Sequence, residues 1–186
     1  MSKKNSVEII CILDRSGSMG SLQTEVINSY NEFIRDQQQE KGKANVTLVL
    51  FDDKYEVVYE NKNIKKVPEL TSETYFARGM TGLYDAIGKA VNKSQSEDAM
   101  VLIQTDGMEN SSHEWNKESI KKLIKEKEDL GWDFLFLGAN IDAAMEGSSF
   151  GMMASKTMQY DASVNGVQDA FVSMSNITKS YRSSKA

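Results

Sequence analysis

Three oxygen-bearing side chains stand at alternate positions in "ILDRSGSMGS": Asp14, Ser16 and Ser18. Alternation in an extended or looping segment can send all three to one side. Gly17 and Gly20 let the backbone turn tightly between them. Hydroxyls and carboxylates are hard donors, suited to Mg²⁺ or Mn²⁺ and poor for softer metals. Mg²⁺ takes an octahedral oxygen shell and usually keeps several waters. With few charged direct ligands it stays electrophilic, and an outside carboxylate could displace a water. The same residues also suit a helix N-cap, where Ser, Asp and Gly are favoured. The stretch alone does not choose between a metal shell and a cap.

Other motifs fit less well. Read as a calcium loop, Asp14, Ser16, Ser18 and Glu25 take the ligand positions, but Met19 falls where that loop requires glycine and a strand precedes it. The phosphate-cradling G-x-x-x-x-G-K-[ST] is absent. "SGSMG" is not the G-x-S-x-G of a nucleophile elbow.

The elements that must position these groups follow from hydropathy patterning. Residues 7–13 are nearly all apolar, as in a strand covered on both faces. Gly20 and Ser21 open a helix whose stripe is Leu22, Val26, Ile27, Tyr30, Phe33 and Ile34, stopped near Gly42. Residues 46–51 and 55–60 are strands joined by so short a turn that they must be antiparallel, at the sheet edge. "KNIKK" reads as a solvated basic patch. Leu83, Tyr84, Ile87, Ala90 and Val91 mark a second helix, and residues 100–105 a fourth strand. Asn116 caps a third helix, with Glu118 and Lys122 as an i,i+4 pair and Gly131 as its stop. Residues 134–137 and 157–160 are further strands, and Ile141 to Met145 begins a short helix. A final amphipathic helix runs through Val164, Val167, Phe171, Met174, Ile177 and Tyr181, and "YRSSKA" is expected to fray.

Strands alternating with helices predict an α/β, doubly wound, mainly parallel six-stranded sheet with one antiparallel edge strand and helices on both faces; right-handed crossovers limit the layouts, and the common order 3-2-1-4-5-6 is expected. That order sets strands one and four side by side where the winding reverses, and such crevices bind ligands. Asp14 ends strand one and Asp106 ends strand four, so the topology brings the two carboxylates together.

These residues resemble the von Willebrand factor type A domain family, a Rossmann-like fold. "LDRSGSMG" is similar to the DxSxS that opens that family's metal-ion-dependent adhesion site. "RGMTGLYDAIGKAV" resembles the bacterial form GGTxLYDAI and brings in Thr81. "VLIQTDGMENSS" is close to LLTDGxxN and matches at Asp106. The resemblance spans nearly the whole chain, and the three elements together in order are far more specific than any one. It implies that Ser16, Ser18 and Thr81 approach a divalent metal through hydroxyls, Thr81 directly or through water. Asp14 and Asp106 would hold metal-bound waters. A partner protein's acidic residue would take the remaining position. It also implies that the last helix moves with the metal shell. Met80 departs from the family's glycine, which would stiffen the loop before Thr81.

Composition bounds the rest. The chain has 186 residues, 40% of them apolar, enough for one domain, 1–186 with its core at about 7–181. A net charge of −5 argues against nucleic acid or an anionic membrane as partner. The single cysteine, Cys11, reads as core and fits a reducing, cytoplasmic setting. The expectation is a non-enzymatic binding module using Mg²⁺, with Mn²⁺ or Ca²⁺ as alternatives. Two other readings stand beside it: a metal-dependent hydrolase or phosphatase, and a structural domain without metal function. His113 could serve as a base beside Ser16 or Ser18, but reads as a surface loop residue. Asp85 is either an acidic group near the site or a helix-start residue. Met19 either contacts a partner or folds back onto the core.

Overall fold

A computed structural model describes residues 6–106, 108–139 and 143–186. The central strand β1 (Val7–Asp14) is buried along its whole length. It lies parallel to β2 (Ala44–Phe51) on one side and to β4 (Ala99–Thr105) on the other. β3 (Tyr55–Asn63) pairs antiparallel with β2 at one edge, and β5 (Asp133–Ala139) and β6 (Thr157–Tyr160) continue the parallel sheet to the other. The order is β3-β2-β1-β4-β5-β6, the expected common doubly wound order.

The period of two along β1 divides the core into two layers. Ile9, Cys11 and Leu13 face the layer built with α1 (Gln23–Gln39) and α5 (Val164–Ser184). Ile10 and Ile12 face the layer built with α2 (Leu83–Lys93) and α3 (Lys117–Asp129). Residues 9–13 of β1 therefore all pack in an apolar layer, which is why that stretch reads as a continuous apolar run. A short helix, α4 (Ala143–Ser149), precedes β6. The expected helix start at Ile141 lies outside the described residues.

Three local expectations need correction. A 3-10 turn over Gly17–Leu22 precedes α1, which begins at Gln23 and not at Gly20. The tighter turn brings Met19 N–H onto the Ser16 carbonyl at 2.9 Å and sends the Met19 side chain into the core, fully buried. "YRSSKA" does not fray, because α5 runs on to Ser184. Buried Arg182 donates to the Gln37 carbonyl at 2.6 Å and to its Oε1 at 3.1 Å, so the last turn is tied to α1. On α3 the ion pairs are Lys122–Glu126 at 3.9 Å and Lys125–Asp129 at 3.4 Å, both exposed, in place of Glu118–Lys122. The expected cap does form: Asn116 and Ser119 make a reciprocal capping box. Within "KNIKK" Ile64 is buried and Asn63 caps a short 3-10 turn, leaving Lys65 and Lys66 exposed.

Candidate metal centre

At the carboxyl ends of β1 and β4, four of the five expected residues form one hydrogen-bonded chain. Asp14 is fully buried. Its Oδ1 accepts from Ser16 N–H at 2.7 Å and its Oδ2 from the Thr105 hydroxyl at 2.6 Å. Ser16 Oγ and Ser18 Oγ lie 3.3 Å apart, and Ser18 Oγ donates to Asp106 Oδ1 at 2.7 Å. The spacing of two thus turns both hydroxyls to the same place, and the reversal of winding brings in Asp106. Neither serine side chain caps the helical turns that follow, which sets the cap reading aside.

Thr81 joins through its backbone. Its loop is stitched to the first one by Arg78 N–H on the Arg15 carbonyl at 2.9 Å and by Gly17 N–H on the Gly79 carbonyl at 3.0 Å. Gly79 sits at φ +68, a left-handed conformation that glycine takes freely. Asn110 then clasps Thr81 from the third loop. Thr81 N–H donates to Asn110 Oδ1 at 2.8 Å, and Asn110 N–H to the Thr81 carbonyl at 3.0 Å. Asn110 is the final residue of the motif-like "TDGMEN", so its signal was present in the sequence although only Asp106 was singled out there.

Two further carboxylates organise the third loop. Glu109 accepts from Tyr84 N–H at the start of α2 at 2.9 Å and from Ser111 and Ser112 N–H. Asp85 accepts from the backbone N–H groups of His113, Glu114 and Trp115 at 3.0, 3.0 and 2.8 Å. Asp85 is therefore a loop anchor and not a third acid of the centre. His113 is exposed, and the hydroxyl of Ser18 is engaged with Asp106, so these residues do not assemble a serine–histidine pair.

Burial raises the pKa of both Asp14 and Asp106. For Asp14 the hydrogen bonds from Ser16 and Thr105 oppose that shift, and the charge of Asp106 adds to it. Two desolvated carboxylates joined through Ser16 and Ser18 favour a cation between them. The donor set fits a hard divalent ion. Cis oxygens of an octahedral Mg²⁺ shell stand about 3 Å apart at Mg–O distances of about 2.1 Å, close to the Ser16–Ser18 separation of 3.3 Å. Among the described residues no group of three or more His, Cys, Asp or Glu side chains is placed to hold a metal. The hydroxyl-rich cluster is poor in the ligands that select softer ions.

No family model and no curated protein matches the chain. Solved structures do. The von Willebrand factor domain of the type V pilus tip protein Mfa5 from Porphyromonas gingivalis superposes at TM-score 0.66 and 9% identity, over 95% of this chain and 96% of that one. Proximal thread matrix protein 1 from the mussel byssus, with a zinc-occupied adhesion-site motif, superposes at TM-score 0.68 and 15% identity, over 96% of this chain. This chain spans 47% of that protein's length. The manganese-loaded TRAP protein of Plasmodium vivax superposes at TM-score 0.62 and 16% identity, over 90% of this chain and 72% of that one.

Proposed function

We propose that this chain, which has the fold of a von Willebrand factor type A domain, is a non-enzymatic protein-binding module dependent on a divalent cation. Ser16, Ser18 and Thr81 would hold the ion through hydroxyls, with Asp14 and Asp106 holding its waters. Mg²⁺ is the expected ion, and Mn²⁺ or Ca²⁺ would substitute. The ion would supply an electrophilic position for an acidic side chain of a partner protein. The observation that carries this reading is the connected set Asp14–Ser16–Ser18–Asp106 at the switch point of the sheet. One structural neighbour that is manganese-loaded and another whose adhesion-site motif is zinc-occupied support it by analogy of fold.

Calorimetric titration with Mg²⁺ and Mn²⁺ tests the metal. The wild-type chain should bind one ion, and Asp14→Ala and Ser18→Ala should bind it at least tenfold more weakly. Absence of heat and of thermal stabilisation with either ion would instead favour a structural domain without metal function. Binding to an acidic partner peptide should be lost in EDTA. Binding that survives both EDTA and Asp14→Ala would refute the module.

A further inference from the structure

We propose that Asp52 is a positioning residue of the metal centre, setting where Thr81 stands relative to Ser16 and Ser18 by gripping Arg15 and Arg78 together. The inference rests on the metal reading above. Asp52 closes β2 beside β1 and is 1% exposed. One carboxylate oxygen, Oδ2, accepts from Arg15 Nε at 3.2 Å and from Arg78 Nε at 2.7 Å. The other, Oδ1, accepts from Lys54 N–H at 2.7 Å. The Asp52 carbonyl also accepts from Gly82 N–H at 2.8 Å. A single residue therefore holds the first loop at Arg15 and the second loop on both sides of Thr81.

Arg15 occupies the variable position between Asp14 and Ser16, where a side chain is free to point to solvent. Instead it is fully buried. Besides Asp52 it donates to Glu56 Oε2 at 2.6 Å and to the Thr74 carbonyl at 3.2 Å. The guanidinium groups of Arg15 and Arg78 both lie over the Phe76 ring, at 5.3 and 5.1 Å from its centroid. Residues 74, 76, 78 and 82 are thus all fastened to the same cluster. A buried ion pair adds little stability over an apolar filling of equal volume, whereas its directional hydrogen bonds fix one register. Here the register is that of the Thr81 loop. Gly79 shows how close the two surfaces are, since a Cβ there would come within 2.0 Å of Asp53 Oδ1.

Arg78 gives the cleanest test because its side chain is 41% exposed, so its loss spares the core. Mn²⁺ affinity is measured by calorimetry on the full chain for wild type, Asp52→Asn, Arg78→Gln and Arg78→Lys. Amide exchange of residues 79–82 and melting without metal are followed in parallel. Arg78→Gln should keep wild-type circular dichroism and metal-free melting, yet bind Mn²⁺ about tenfold more weakly and exchange faster at Gly82. Arg78→Lys should recover most of the affinity. Should Asp52→Asn fail to fold, Arg78→Gln decides. A folded Arg78→Gln with wild-type Mn²⁺ affinity and wild-type exchange overturns the positioning role alone. A wild-type chain that binds no Mn²⁺ overturns the metal reading and this inference with it.

Discussion

Replacing Gly88 with alanine should destabilise the protein although it improves helix propensity. Gly88 is a buried interior position of α2. Alanine there gains about 1 kcal/mol of intrinsic helix preference over glycine. An added Cβ, however, would lie 2.1 Å from Cδ2 of Trp115 and 2.4 Å from both Cε2 and Cγ. Those atoms belong to the body of the indole, so the whole ring must swing away. Trp115 is half-buried and packs on the α2–α3 layer of the core. Exposing roughly 100 Å² of a ring that buries 150–250 Å² costs about 2.5 kcal/mol at about 25 cal/mol per Å². The clash outweighs the propensity gain, leaving a net loss of about 1.5 kcal/mol. For a chain of this size that is a fall of about 3–6 °C in Tm. Scanning calorimetry reads the shift, and tryptophan emission should move to the red as Trp115 meets water. An unchanged or higher Tm with unshifted emission would refute the reasoning, because the indole would then have been held in place by something other than the bare helix surface.

The same third loop should respond to acid through Asp85. Burial pushes that carboxyl up, but the backbone donations of His113, Trp115 and Glu114, with Lys89 nearby, outweigh it and the net pKa is lowered. A depressed acid contributes stability above its unfolded value of 3.8, and that contribution is lost as pH falls through the lower folded value. Wild type should therefore exceed Asp85→Asn by about 1 kcal/mol at pH 7, a figure reduced for solvent screening, and urea denaturation at pH values progressively below 3.8 should show the gap closing. Arg182→Ala strands Gln37 Oε1 and leaves the Gln37 carbonyl only the Glu40 N–H, costing about 2 kcal/mol; calorimetry should show the lower Tm, and amide exchange should quicken in residues 178–184 before it does in the sheet.

Much of this molecule is legible from local pattern. A nearly continuous apolar run at residues 7–13 suits a strand covered on both faces, and stripes at spacings of three and four suit helices lying on a sheet. Those periods predict the parallel sheet, the handedness of crossovers limits its layouts, and the common doubly wound order among them is the one that places Asp106 beside Asp14. The alternate serines were legible for the same reason, since their spacing is a backbone geometry. Asn110 sat in view within its motif, but its clasp on Thr81 depends on two loops meeting.

What stayed hidden was whatever depends on a partner distant in the chain. Nothing in the local sequence singles out Arg15; the fold sets Asp52, Glu56 and Thr74 around it. Arg182 looked like part of a polar tail because no apolar period announces a hydrogen bond to Gln37. Met19 had two destinations, and only the tightness of the 3-10 turn chose the core. The sequence by itself determined the elements, their order and the hard-oxygen character of the centre, because these follow from residue type and local spacing. Tertiary structure alone decided which buried charge meets which. Burying a charge is favourable only where opposite charge and hydrogen bonds converge on it, and that convergence comes from packing distant segments together.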